Sequence, residues 1–479
     1  MVELELEDIQ GFVLSGYAAM RYARYLLLSV EKPATARAWL AGLSDRVTTG
    51  VDRKDDWCVN VAITQHGLRA LGLPPEDLQT FPATFLDGMV APYRQRILGD
   101  FGASAPAAWR WGGAGPSIEY PGDQLHILLL LFASDEGTLN RLEESEKSKL
   151  TKGGGLRVVL PLTPEPLRGK QVVGRDSKFG VEHFGFADGM SQPVIEGSGQ
   201  EHLLTGEDAA RTVIAAGEFV LGYENGYGQL TPSPRMGILD GNEKDLGRNG
   251  TYLVVRELAQ DVPGFNRFLE ESTSNDAGTS RTEAIERLAA KLVGRWRSGA
   301  PLVRSAHRDD TDLATDNSFG YRDLDPHGDR CPIGAHIRRA NPRDSLGAEA
   351  KGALQRANQH RILRRGRVFG SAFDETDPDA GERGLIFMCI NANIERQFEF
   401  IQQNWCNNPK FAGLYSEQDP ILGSPPDTGG TFTIQGLPIS AQLGGLRSFV
   451  TTRGGAYFFL PGISGLRKLS TAGSVTVEM

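Results

Sequence analysis

Three short stretches of this chain combine ionisable side chains with glycines. The first, Glu182 to Pro193 (EHFGFADGMSQP), sets the Asp188 carboxylate between Gly185 and Gly189 among aromatic residues. Glycines there let the backbone take positive φ or come close to a bulky flat ligand. The plain alternative is a turn in which Asp188 bonds its own loop. The second, Cys331 to Asp344 (CPIGAHIRRANPRD), surrounds His336 with Arg338, Arg339 and Arg343. An imidazole is a good axial ligand for haem iron, and arginines pair with carboxylates such as propionates. The plain alternative is a histidine in a cationic surface loop. The third, His360 to Gly370 (HRILRRGRVFG), carries Arg361, Arg364, Arg365 and Arg367. Its apolar Ile362–Leu363 pair followed by Arg364 fits one arginine turned inward. A buried guanidinium cannot shed its charge and would need an anion; otherwise this is a solvated basic strand.

Other chemistries lack their patterns. There are eight histidines and no HExxH spacing, no GxSxG elbow, no phosphate-binding GxxxxGK[ST] loop and no convincing GxGxxG. The four cysteines, Cys58, Cys331, Cys389 and Cys406, are far apart with no zinc spacing, so reduced thiols are expected.

The elements that must position these stretches show through periodicity. In the first half, strands are expected at Arg21 to Val30, Trp57 to Ile63, Leu125 to Ala133 and Val158 to Leu162. Helices are expected at Pro33 to Leu43, His66 to Leu71 (capped by Thr64) and Glu136 to Leu150. That order approximates the split βαβ arrangement of ferredoxin-like domains. The second half repeats the theme with longer inserts. Strands are expected at Phe219 to Leu221, Thr251 to Leu258, Leu385 to Asn391 and Ala456 to Leu460, and helices at Asp261 to Leu269, Arg281 to Arg297 and Ile394 to Trp405. Gly299 to Gly384, polar and rich in Gly, Asp and Arg, reads as a long irregular segment that carries or borders a site. The division expected is 1–215, which includes the Asp188 loop, and 216–479.

With 479 residues, 40% of them hydrophobic, the chain can bury a sizeable core. Its 51 basic and 60 acidic residues leave a net charge of −9, which argues against coating nucleic acid or anionic membranes. The apolar run LHILLLLFA is far short of the ~20 residues a spanning helix needs and reads as a fully buried strand. The start, MVELELEDIQ, has neither a basic nor an apolar leader region, so a cytoplasmic location is expected, with packaging or non-standard export left open.

The three stretches, in their order, resemble the motifs of dye-decolorizing peroxidases: FGFADGMSQP the Gly-x-x-Asp-Gly signature, the His336 segment the proximal motif and ILRRG the distal one. Asp8 to Val13 (DIQGFV), Gly67 to Gly72 (GLRALG), Gly294 to Pro301 (GRWRSGAP), Asp329 to Arg343 and Gly384 to Phe387 (GLIF) extend the likeness along nearly the whole chain, toward the longer subgroup that includes fungal members. The resemblance implies an α+β fold of two tandem ferredoxin-like domains, of the dimeric α/β-barrel type, with one haem b per chain held in the C-terminal domain. It implies hydrogen peroxide and aromatic reducing substrates as partners, with neither nucleic acid nor membrane, and is compatible with a homo-oligomer. His336 is implied as the iron ligand, Asp188 as the acid–base residue and Arg364 as the distal arginine. Leu385 and Phe387 would line the distal face, and Arg338 and Arg343 would contact the cofactor. Asp419 is implied as the acid bonding His336, with Glu399 as its rival. Trp405 falls where fungal members relay electrons to the surface, or else it packs a helix end; Tyr321, Tyr415 and Tyr457 are the next candidates for a relay. Some members carry an asparagine two residues after the distal arginine; here that position is Gly366. A haem-binding or haem-delivery protein without peroxidase turnover is the alternative function.

Overall fold

A computed structural model describes residues 2–52, 56–151, 153–164, 180–204, 206–239, 241–273, 280–377 and 381–472. The first half contains strand β1 (Tyr22–Val30), helix α1 (Pro33–Ser44), β2 (Trp57–Ile63), β3 (Ile127–Ala133), α2 (Glu136–Thr151) and β4 (Leu156–Leu162). The second contains β5 (Thr251–Gln260), α3 (Val262–Ser272), α4 (Arg281–Val293), α5 (His336–Ala340) and α6 (Ala350–Asn358). It continues with β6 (Leu363–Arg364), β7 (Arg367–Phe369), β8 (Gly384–Asn391), the hairpin β9 (Gly430–Ile434) and β10 (Ala441–Leu446), β11 (Val450–Leu460) and α7 (Ile463–Ser470).

Strands β1 to β8 and β11 join one antiparallel sheet; the hairpin and two short pairs, Val194–Ile195 with Val213–Ile214 and Arg235–Met236 with Lys244–Asp245, lie outside it. The first half is ordered β2-β3-β1-β4, and the second runs β6/β7-β8-β5-β11. In each half the first strand lies between the third and the fourth, the ferredoxin-like order that the element sequence suggests. The halves meet where β11 pairs with β2 at Phe459 and Ile63, and the path stays open, with β6 at one end and β4 at the other.

Successive strand residues point to opposite faces, and here both faces are covered. Leu26, Leu28, Leu129, Leu131 and Val254 pack into one layer; Tyr25, Leu27, Leu128, Leu130 and Val255 pack into the other. Two-sided burial explains why LHILLLLFA has no polar alternation, and each fully buried Leu contributes ~1.5–3 kcal/mol.

Local chemistry sets the element ends. Thr64 Oγ1 accepts the Gly67 amide at 3.0 Å, Asp261 caps α3 through the Gly264 amide at 2.9 Å, and Ser280 with Glu283 forms a capping box on α4. Gly294, at φ 101°, stops α4 four residues before the expected end, and a Cβ there would lie 2.5 Å from Ile337 Cγ1. Three expectations are corrected. Phe219 to Leu221 forms no strand: it is a fully buried turn after a 3₁₀ segment, apolar because it packs into the core without a partner strand. Gly299 to Gly384 is not wholly irregular, since it supplies α5, α6, β6 and β7. Ile394 to Trp405 winds as two π-helical segments, Glu395–Glu399 and Ile401–Cys406, and not as a regular α-helix. No helix among the described residues is long and apolar enough to cross a membrane. The four thiols are buried and unbonded to one another.

Candidate active site

The face of β8 that carries Leu385 and Phe387, together with Arg256 and Leu258 of β5, floors a cavity of about 320 Å³. Asp188, His336 and Arg364 line the same cavity, so the three separated sequence stretches converge.

His336 is the first residue of α5. Its Nδ1 lies 2.9 Å from Asp419 Oδ2 and 3.2 Å from Oδ1. Asp419 is buried and held by the amides of Ile421 and Leu422, each 2.9 Å from Oδ1. A carboxylate so fixed selects the tautomer with Nδ1–H donating, which leaves Nε2 free to bind a metal. Burial opposes a charged imidazole, but the neighbouring Asp419 carboxylate outweighs it and raises His336 above the usual histidine range. Burial likewise works to raise the Asp419 carboxyl, and the imidazole overcomes it and holds that group low. Glu399 is not the partner: it bonds Arg94 at 2.7 Å and the Tyr457 hydroxyl at 2.8 Å.

Fully buried Arg339 braces this side. Its guanidinium donates to the carbonyls of Trp405 at 2.7 Å, Asn408 at 3.1 Å and Glu417 at 2.6 Å, tying α5 to the π-helical segment and the Asp419 loop. Buried carbonyls need donors, and one planar fork supplies several.

Asp188 Oδ1 accepts Arg364 Nη1 at 2.9 Å and the Gly189 amide at 2.6 Å, leaving Oδ2 available. The expected local turn bond therefore coexists with a pairing to Arg364. Arg364 Nη2 also donates to the Met190 carbonyl at 2.8 Å, and its own amide donates to Gln192 Oε1 at 3.0 Å. The neighbouring Arg365 and Arg367 turn the other way, onto carbonyls of Phe12, Val13, Tyr17 and Met20. Gly366 packs against β8: a Cβ would stand 2.9 Å from the Ile386 carbonyl oxygen, so the strand approach leaves no room for the asparagine.

Charge at the cavity wall indicates the kind of ligand it suits. Arg295, Arg343 and Arg361 all line it, all are buried, and none makes an ion pair among the described residues. They donate to backbone carbonyls and to Asn317 or Ser191. Burial lowers Arg361 to about 9 and Arg295 to about 10, with Arg343 adding repulsion to both. The Tyr321 hydroxyl, on another lining residue, is buried with no partner. Three buried cations and an orphan donor beside an apolar face suit a flat hydrophobic ligand with carboxylates. A free imidazole nitrogen in the same cavity suits iron, and together these features fit haem.

Arg338 departs from expectation. It does not line the cavity; it donates to Asp325 and the Cys331 carbonyl and stacks 4.5 Å over the Tyr321 ring, because its place on α5 turns it away from the cavity. Trp405 is 6% exposed, in a satellite cluster edge-on to His360 and Phe400 at 5.4 Å each. Tyr457 is buried and Tyr415 is 84% exposed. Sequence reasoning missed Arg295, Tyr321 and Glu182 as lining residues. Arg295 had a signal, since it stands within GRWRSGAP, but spacing alone marks neither its burial nor its missing counter-ion.

No family model matches the chain. A dye-decolorizing peroxidase from Mycetinis scorodonius is 30% identical over 493 residues, covering 97% of this chain and 87% of the relative. A solved dye-decolorizing peroxidase complexed with 2,6-dimethoxyphenol superposes with a TM-score of 0.78 at 26% identity, covering 98% of this chain and all of the other. A solved fungal peroxidase of this type from Auricularia auricula-judae gives a TM-score of 0.80 at 26% identity with the same coverage. Full-length similarity at this level, added to His336–Asp419 and Asp188–Arg364 lining one cavity, makes the chain a member of the dye-decolorizing peroxidase family.

Proposed function

We propose that this chain reduces hydrogen peroxide with one haem b per chain and oxidises bulky aromatic compounds such as anthraquinone dyes and phenols. The observation that carries the reading is a single cavity holding a carboxylate-oriented histidine, an Asp–Arg pair and unpaired buried arginines. The division proposed is 1–215 and 216–479, with haem held mainly by the second unit and the Asp188 loop contributed by the first.

His336 Nε2 would hold the iron, Arg343, with Arg295 and Arg361, would face the propionates, and Leu385 and Phe387 would border the distal space. Bound haem supplies the iron redox chemistry that cleaves the peroxide O–O bond. Asp188 takes a proton from one peroxide oxygen onto Oδ2 and returns it to the other. Arg364, fixed by three hydrogen bonds, stabilises the negative charge that develops on the leaving oxygen. Asp419 keeps Nδ1–H engaged, which strengthens His336 as a donor. The test is to mix the haem-loaded protein with one equivalent of hydrogen peroxide and then a phenol. Rapid conversion of the visible spectrum followed by return is expected; a haem carrier without turnover shows neither.

Trp405 is proposed as an electron relay for substrates too large for the cavity. Its support is the neighbouring Cys406, which lines the cavity, and an oxidisable indole packed edge-on against the stacked His360 and Phe400 rings. Trp405→Phe keeps most of the apolar bulk. Turnover of a large anthraquinone dye is expected to drop severalfold while small-phenol oxidation stays within twofold. Equal rates on both substrates would make Trp405 a packing residue and move the relay to the tyrosines.

A further inference from the structure

Glu182 lies in the Asp188 loop and is not used by the chemistry above. Its carboxylate is spent on the loop itself. Oε1 accepts the Phe186 amide at 2.9 Å, and Oε2 accepts the Phe184 amide at 2.9 Å and Gln260 Nε2 at 2.6 Å. The Glu182 amide returns a bond to the Phe186 carbonyl at 3.0 Å, and the Gly185 amide donates to the Glu182 carbonyl at 2.8 Å. This closes a tight loop around Gly185, whose φ is 91° and whose Cβ would stand 2.5 Å from Arg297 Nη1. Gln260 ends β5, the strand paired with β8, so one carboxylate ties the loop to the sheet that floors the cavity. Burial raises the Glu182 carboxyl, so this is a costly residue to keep inside, and both of its oxygens are met by donors.

We propose that Glu182 is a positioning residue: it fixes the loop so that Asp188 stands where it can exchange a proton with peroxide while paired to Arg364. Asp188 follows only two residues after the Glu182-bound Phe186 amide, and its own amide is pinned to the Gly180 carbonyl at 2.8 Å. Between these anchors the backbone that carries Asp188 is held in place. This inference rests on the reading of Asp188 as the proton carrier. A catalytic group displaced by about 1 Å can lose ~10²-fold in rate, so a slackened loop is costly even with Asp188 intact.

Glu182→Gln is the informative change. It keeps shape but puts an NH₂ group against one of the three donors, so at least one bond is lost and two donors face each other. The measurements are the second-order rate constant for peroxide and the rate of cyanide binding to the resting haem-loaded protein. Cyanide enters as its acid and also needs a base to take its proton. Both rates are expected to fall about 10-fold or more, with haem content and dye KM unchanged. The decisive step is a double-mutant cycle with Asp188→Asn. A residue acting through Asp188 adds nothing once Asp188 is neutralised, whereas a general structural role adds its full loss. Overlapping losses support the proposal; additive losses, or wild-type rates in Glu182→Gln, overturn it. Gln260→Met removes only the tie to the sheet and carries the same cycle if Glu182→Gln does not load haem. Should Asp188→Asn alone leave both rates unchanged, the proposed function fails at Asp188, which is a separate result.

Discussion

A His336→Ala protein is expected to fold but to purify with haem reduced to about a tenth or less of the wild-type content per chain. His336 is the cavity-lining imidazole, and its Nε2 is the nitrogen left free by the Asp419 bond. Metal affinity depends on the deprotonated ligand atom being presented in place, and among the described residues no other histidine lines the cavity to substitute for it. Asp419→Asn should give an intermediate protein, because losing the outer partner of a metal-bound histidine typically costs about 10–100-fold in affinity or activity. Haem per chain, measured from the visible absorbance of denatured samples, checks both. His66 is the internal control: it bonds Gln65 outside the cavity, so its alanine variant should retain haem. Normal haem content with an unchanged axial-ligand spectrum in His336→Ala would end the assignment.

Asp188→Asn and Arg364→Leu should keep haem while at least one slows the reaction with peroxide by ~10²–10⁴-fold, the range typical of a positioned acid–base group. Retention of fold is expected because the pair is part-exposed, at 36% and 38%, where such ion pairs contribute only ~0–1 kcal/mol. Arg364→Leu removes the charge that stabilises the leaving oxygen and frees Asp188 from its partner, so its loss should be at least as large. Stopped-flow mixing with peroxide, followed by the visible spectrum, measures the step directly. Wild-type rates in both variants would remove the distal roles of both residues.

Much of this protein is written locally. The apolar runs at 57–63 and 127–133, the Thr64, Asp261 and Ser280 caps and the three motif stretches each carry their meaning within a few residues, because strand burial, capping and tight turns are short-range physics. The motif order was enough to nominate His336, Asp188 and Arg364.

Long-range packing decided the rest. Of four neighbouring arginines, Arg361 and Arg364 face the cavity while Arg365 and Arg367 reach the chain's N-terminal segment, a choice set by which carbonyls lie within reach. Arg338 and Arg343 read alike in the sequence, yet one is consumed by Asp325 and the other lines the cavity. Asp419 beat Glu399 because Arg94 and Tyr457, distant in sequence, already occupy the glutamate. Turning a histidine into a ligand depends on which ring nitrogen packing leaves without a partner, and turning an arginine into an anion contact depends on whether a carboxylate already neutralises it. Residue type and spacing determine what a side chain can do; the tertiary structure decides which of its hydrogen bonds are already spent.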